Sequence, residues 1–109
     1  MSLSLKHCIP CEVGGVDPFT PDDVRTYLLD TPGWTADEKS KKISKQFSFK
    51  SFREAMGFVD KIADLAETEG HHPDIEILYN KVNLNLTTHA IKGLSENDFI
   101  LASKIDAIV

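Results

Sequence analysis

The chain has 109 residues, a formal charge of -5, 41% apolar residues and 27% charged ones. These values are ordinary for a water-soluble domain, and the length supports one hydrophobic core without staples or structural metal. No apolar run approaches the roughly 20 residues of a membrane span, so no membrane association is expected. The acidic balance speaks against direct nucleic-acid binding, which needs a basic footprint, and leaves a small molecule or a protein as the expected partner.

The N-terminal "MSLSLKHCIPCEVGG" lacks the long apolar centre of a secretory signal, so a cytoplasmic or nuclear setting is expected. Cys8 and Cys11 form a CxxC. Zinc normally takes four ligands and no second pair follows, while a thioredoxin-like motif needs an adjacent strand and helix that "EVGGVDP" does not offer. They read as two thiols in a flexible arm, residues 1–19, ahead of a single domain, residues 20–109.

"TPDDVRTYLLD" predicts the first helix. Thr20 can cap it, Pro21 suits the first helical position, Asp22 and Asp23 complement the dipole, and Val24, Tyr27 and Leu28 form its apolar stripe. Pro32 and Gly33 in "TPGW" then turn the chain, and Trp34 opens a short strand. In "ISKQFSF", Ile43, Phe47 and Phe49 share one parity, as in a half-buried strand, with Lys45 as the exception.

A second helix follows. Ser51 and Glu54 have capping-box spacing, and Phe52, Ala55, Met56, Val59, Ile62, Ala63 and Ala66 recur at helical intervals. Gly70 suits the position past its end. "IEILYN" and "KVNLNLTTH" predict two strands around a turn near Asn80 and Lys81, with Val82, Leu84 and Leu86 facing the core. His89 has the opposite parity and is expected to project from the other face. "SEND" opens the last helix, with Ser95 as cap, Asp98 at its third position and Leu101, Ala102, Ile105 and Ile108 as the buried stripe. The order αββαββα predicts an α+β domain: a four-stranded antiparallel sheet with three helices on one face.

His71 and His72, side by side in "EGHHPD", begin a helix-to-strand connection. His89 ends a predicted strand and Asp98 starts a helix, and element ends are where scaffolds hold reactive groups. The pattern Glu67, His71-His72-Pro73, Tyr79, His89 and Asp98 resembles, at every spacing, the signature of the pterin-4a-carbinolamine dehydratases, also called dimerization cofactors of a homeodomain transcription factor. "TPGW", "KQFSFKSF", "YNKVNLNL" and "GLSENDFILASKI" also look like blocks of that family. One departure is Ile75, where many relatives carry a large aromatic in one wall of the pocket.

The resemblance implies dehydration of 4a-hydroxytetrahydropterin to quinonoid dihydropterin, recycling the tetrahydrobiopterin cofactor of aromatic amino acid hydroxylases. Water leaves C4a while N5 loses a proton, which histidines can serve near neutral pH without metal, other cofactor or covalent intermediate. It implies His71 and His89 as the acid/base groups, His72 as the residue that orients the pterin, and Asp98 as support for a histidine or as a helix cap. Glu67 is expected to orient His71 or to stand as a solvated surface carboxylate, Pro73 to hold His72 extended, and Tyr79, on the parity of Ile75 and Ile77, to pack in the core or line the pocket.

Two rival readings remain open. Three histidines and a carboxylate are also a zinc donor set, but an adjacent pair lacks the i, i+4 spacing that puts two imidazoles on one helix face. A non-catalytic scaffold that binds a transcription factor is the other, since relatives do so through a helical surface. The family's homodimers join sheets edge to edge and pair into homotetramers, and a hydroxylase is a further possible partner.

Overall fold

A computed structural model describes Leu3 and residues 17–109. The order of elements is α1 (Pro21–Leu28), β1 (Thr35–Ala36), β2 (Ile43–Ser48), α2 (Phe52–Glu69), β3 (Asp74–Leu78), β4 (Lys81–Leu86) and α3 (Glu96–Ile108), with a 3-10 turn at His89–Ile91. This is the predicted αββαββα α+β arrangement. All strand pairs are antiparallel and the sheet order is β1-β2-β4-β3. The CxxC and the rest of the N-terminal arm lie outside the described residues, apart from Leu3 and residues 17–19. Phe19 donates its backbone N–H to the Leu94 carbonyl at 2.7 Å, and its ring lies 4.8 Å from that of Tyr27.

The two faces of the sheet follow from strand parity. Ile43 and Phe47 stand beside Leu86 and Val82 across the β2–β4 ladder, and with Leu84 they form the buried face. Ala55, Phe58 and Ile62 of α2, Leu101, Ala102 and Ile105 of α3 and Val24 of α1 complete one core against it. Ser44, Gln46, Asn83 and Asn85 lie on the opposite face, where Gln46 donates to Asn83 at 2.8 Å and Asn83 to Glu76 at 2.9 Å. A depression of about 390 Å³ on this face is lined in part by these residues and contains none of the predicted site residues.

Lys45, the exception in the β2 pattern, keeps core parity but directs its ammonium to the rim. Its Nζ lies 2.9 Å from Asp106 Oδ1 and 5.0 Å from the centroid of the Phe47 ring. Trp34 Nε1 donates to the same carboxylate at 3.1 Å, so Asp106 satisfies both a buried indole and a half-buried ammonium. Gly33, at φ +90°, makes the turn before Trp34, and a side-chain carbon there would meet Lys45 at 3.0 Å.

Helix ends explain the boundaries. Thr20 and Asp23 exchange side-chain bonds with each other's N–H at 3.2 and 3.0 Å, a reciprocal capping box. Ser51 accepts from Glu54 N at 3.1 Å, but the box expected at α2 does not close reciprocally: the Glu54 carboxylate accepts from Lys50 N. The expected stripe of α2 also needs correction. Phe52 is half exposed and Ala63 exposed, whereas Phe58 is buried with its ring tilted against those of Phe47 and Phe49, because the helix presents the Ala55–Phe58–Ile62–Ala66 row to the sheet. In α3, Phe99 and Ile100 are buried together with Leu101, Ala102 and Ile105, since its first turns are enclosed on most sides, while Ile108 at the end of the predicted row is only partly buried.

Two outcomes test this packing. Leu84→Ala, at a fully buried position, should cost about 2–5 kcal/mol in denaturant unfolding. Tyr27 is pushed up from 10.0 to about 12 by burial, reinforced by its hydroxyl's bond to Glu96 and by nearby carboxylates. The folded state therefore holds this proton more tightly than the unfolded state, so the contribution is fully present below about pH 10 and is lost as pH rises through about 12. Between those values, the stability of wild type should fall more steeply than that of Tyr27→Phe, as read from unfolding midpoints at successive pH.

Candidate active site

The α2 helix ends at Gly70, whose φ of +68° favours a residue without a side-chain carbon and whose N–H closes on the Ala66 carbonyl at 2.9 Å. That left-handed turn releases His71 and His72 toward β3. A pair at 3.8 Å between Glu69 and Lys104 ties the same helix end to α3.

His71 is half buried, and its Nε2 lies 2.6 Å from Asp98 Oδ1, on a side chain with no exposure. Asp98 stands in the first turn of α3. Its Oδ2 accepts the Ser95 backbone N–H at 3.0 Å and the Thr88 hydroxyl at 2.8 Å. An ionised carboxylate offers only acceptors, so against it His71 donates from Nε2, and Nδ1 is the ring nitrogen not engaged by Asp98. Asp98 thus belongs to the helix start and to the histidine at once, and the two expectations for it coexist.

Glu67 does not reach His71 as expected. The left-handed turn at Gly70 brings the second histidine to its carboxylate instead, with His72 Nε2 2.6 Å from Glu67 Oε2. Both side chains are mostly solvent-exposed, 58% and 78%. Pro73 separates His72 from the first residue of β3.

His89 is not on a strand. The β4 strand stops at Leu86, and His89 opens the 3-10 turn, where it is exposed, so strand parity no longer sets its direction. The loop that carries it is closed at its base. Thr88 N donates to the Gly93 carbonyl at 2.8 Å, Lys92 N to the His89 carbonyl at 3.2 Å, and Thr87 Oγ1 to the Lys41 carbonyl at 2.6 Å. His89 is therefore one residue from Thr88, which binds the carboxylate that binds His71.

Tyr79 is a correction. It sits in the β3–β4 hairpin at φ +56° with 69% of its surface exposed, because the strand ends at Leu78 and the turn takes Tyr79 and Asn80 instead of Asn80 and Lys81. It neither packs in the core nor meets the histidines' carboxylates.

Thr88 was missed by sequence reasoning. Its signal was available: Thr88 continues the inward parity of Val82, Leu84 and Leu86, and a hydroxyl at a core position requires a polar partner. Among the described residues, no group of three or more His, Cys, Asp and Glu side chains gathers as a metal site would. No described helix is long and apolar enough to cross a membrane.

Known proteins resemble this chain in sequence and in fold. A protein of Halorhodospira halophila named "Putative pterin-4-alpha-carbinolamine dehydratase" is 43% identical over 99% of this chain and 98% of its own. "Pterin-4-alpha-carbinolamine dehydratase 2, mitochondrial" of Arabidopsis thaliana is 39% identical over 97% of this chain and 58% of its own. The crystal structure of a transcriptional coactivator/pterin dehydratase from Brucella melitensis superposes with a TM-score of 0.80 at 34% identity, covering 84% of this chain and 98% of that one. A pterin dehydratase-like protein identified as a RuBisCO assembly factor in the alpha-carboxysome superposes at 0.61 with 28% identity, covering 71% and 89%. With the profile described as "Pterin 4 alpha carbinolamine dehydratase" matching residues 17–108, the chain belongs to that family.

Proposed function

We propose that this chain dehydrates a 4a-hydroxytetrahydropterin to the quinonoid dihydropterin, recycling the tetrahydrobiopterin cofactor of aromatic amino acid hydroxylases. The observation that carries the reading is the contact at 2.6 Å between half-buried His71 and the fully buried Asp98, itself held by Thr88 and Ser95. A general acid or base needs a fixed ring and a defined tautomer, and this contact supplies both.

In the reaction the C4a–O bond breaks and the hydroxyl leaves as water with a proton taken from an acid. The N5–H proton passes to a base, and its electron pair forms the N5=C4a double bond. Proton transfer is the only chemistry demanded, so neither metal nor a further cofactor enters the proposal. His71, acting through Nδ1, and His89 are the acid/base pair. His72, held loosely by exposed Glu67, orients the pterin, and Pro73 limits the backbone of His72.

A second reading is a non-catalytic dimerization or coactivator scaffold for a transcription factor, and one structural neighbour is itself named a transcriptional coactivator/pterin dehydratase. The β3 strand ends the sheet, and Ile75, Leu78 and neighbouring Tyr79 are exposed along it. An unpaired edge of this kind invites strand pairing, and we propose that a homodimer forms there, with pairs of dimers as the larger assembly. A hydroxylase is a further candidate partner, and a cytoplasmic or nuclear setting goes with either reading.

The purified protein, stripped of metal by chelation, should form quinonoid dihydropterin from enzymatically generated 4a-hydroxytetrahydrobiopterin well above the spontaneous rate. His71→Ala and His89→Ala should each reduce kcat by about 10²–10⁴-fold while leaving the oligomer unchanged in sedimentation. A folded wild type that does not exceed the spontaneous rate overturns the enzymatic reading for this pterin, and the scaffold reading then takes precedence.

A further inference from the structure

We propose that Thr88 is a positioning residue for proton transfer, acting through Asp98 on His71; the inference rests on the dehydratase reading of the site. Thr88 is 4% exposed, and its Oγ1 lies 2.8 Å from both Asp98 Oδ2 and Ser95 Oγ. A hydroxyl has one proton to donate. That of Thr88 goes to the carboxylate, which can only accept, so the Ser95 hydroxyl donates to Thr88. The order is Ser95 to Thr88 to Asp98, with His71 donating to the other carboxylate oxygen.

The consequence is geometric. A carboxylate held through one oxygen can pivot about its terminal bond, whereas Asp98 is held through both. His71 binds Oδ1, and the Thr88 hydroxyl and Ser95 N–H bind Oδ2. The plane of the carboxylate therefore sets the direction in which His71 Nε2–H points, and through the rigid ring it sets the direction of Nδ1. Hydrogen bonds to an ionised partner are the strong ones, so the hydroxyl of Thr88 contributes more to this alignment than a neutral bond would.

Thr88 also has a structural role that is separable from this one. Its backbone N–H and carbonyl make the bridge to Gly93 that closes the His89 loop. Valine preserves those bonds and the shape of the side chain, and removes only the hydroxyl. Other charged groups near the histidines have their own partners: Glu67 meets His72, and Glu69 pairs with Lys104. Asp98 is the carboxylate that His71 contacts.

The test compares full-length wild type, Thr88→Val, Thr88→Ser and Thr88→Cys by steady-state kinetics and by long-range 1H–15N spectra of the His71 ring. Wild type should show one tautomer, with the proton on Nε2. Thr88→Val should lower kcat about 10- to 100-fold, as a small misplacement of a reacting group does, with KM within about twofold and the His71 signals shifted toward a tautomer mixture. Thr88→Ser should restore both. Thr88→Cys, a weak donor that keeps the volume, should fall between them and decides the matter if the valine variant does not fold. Folded Val or Cys variants with unchanged kcat and the wild-type tautomer overturn the proposal. If wild type itself lacks dehydratase activity, the dehydratase reading fails on kinetics, while the tautomer comparison still decides whether Thr88 positions His71.

Discussion

A carboxylate with no exposed surface lies at the centre of this molecule's candidate site, and burying such a charge is unfavourable unless hydrogen bonds replace the water it loses. Asp98 obtains its partners from three separate places. His71 comes from the connection after α2, Thr88 from the segment after β4, and the Ser95 N–H from the start of α3 itself. The group is satisfied only when those three segments meet, so assembly of the candidate site and closure of the domain depend on one condition. The all-apolar core beneath, formed by β2, β4, α2 and α3, brings the segments within reach without determining how they join.

The position of Asp98 in a first helical turn makes the arrangement economical in residues. The N-terminal end of a helix carries unpaired N–H groups and the positive end of its dipole, both of which favour an anion. One carboxylate can therefore cap α3 with Oδ2 and hold His71 with Oδ1. An Asp at this position looks like ordinary capping when the sequence alone is read, and nothing in the spacing from Ser95 separates the two roles. The geometry shows that both roles are filled at once, one by each oxygen of the same carboxylate.

Much of the fold was legible because its periodicities are local. The α1 cap, the β4 alternation and the late stripe of α3 all follow from residues a few positions apart, and the structure places them as expected. What was not legible depended on distant partners or on a small phase error. Choosing Phe52 and Ala63 over Phe58 rotated the buried face of α2, because apolar residues occur around much of that helix and only the sheet decides which row is covered. Glu67 was assigned to the nearer histidine by counting residues, but the left-handed turn at Gly70 presents His72 to it instead. Lys45 looked like an error in a strand pattern until Asp106, 61 residues away in sequence, supplied its partner and the ring of Phe47 its shelf. The histidine signature itself marked where the chemistry-bearing residues are, yet the hydroxyl that completes the Asp98 shell lies between signature positions.

The three histidines differ in how firmly they are held, and the difference fits the division of labour proposed for them. His71 is fastened to a buried carboxylate whose other oxygen is also engaged, so its ring has little freedom. The contact between His72 and Glu67 is equally short but lies in solvent, where such a contact restrains its members weakly. His89 is exposed on a turn whose base is fixed by the Thr88–Gly93 bridge while its side chain is not. Proton transfer demands alignment to within a fraction of an ångström, whereas contact with a planar heterocycle tolerates adjustment. One rigid histidine and two adaptable ones are what the proposed reaction asks for: a fixed direction at His71 for proton transfer, and side chains on the exposed side that can adjust to the ring.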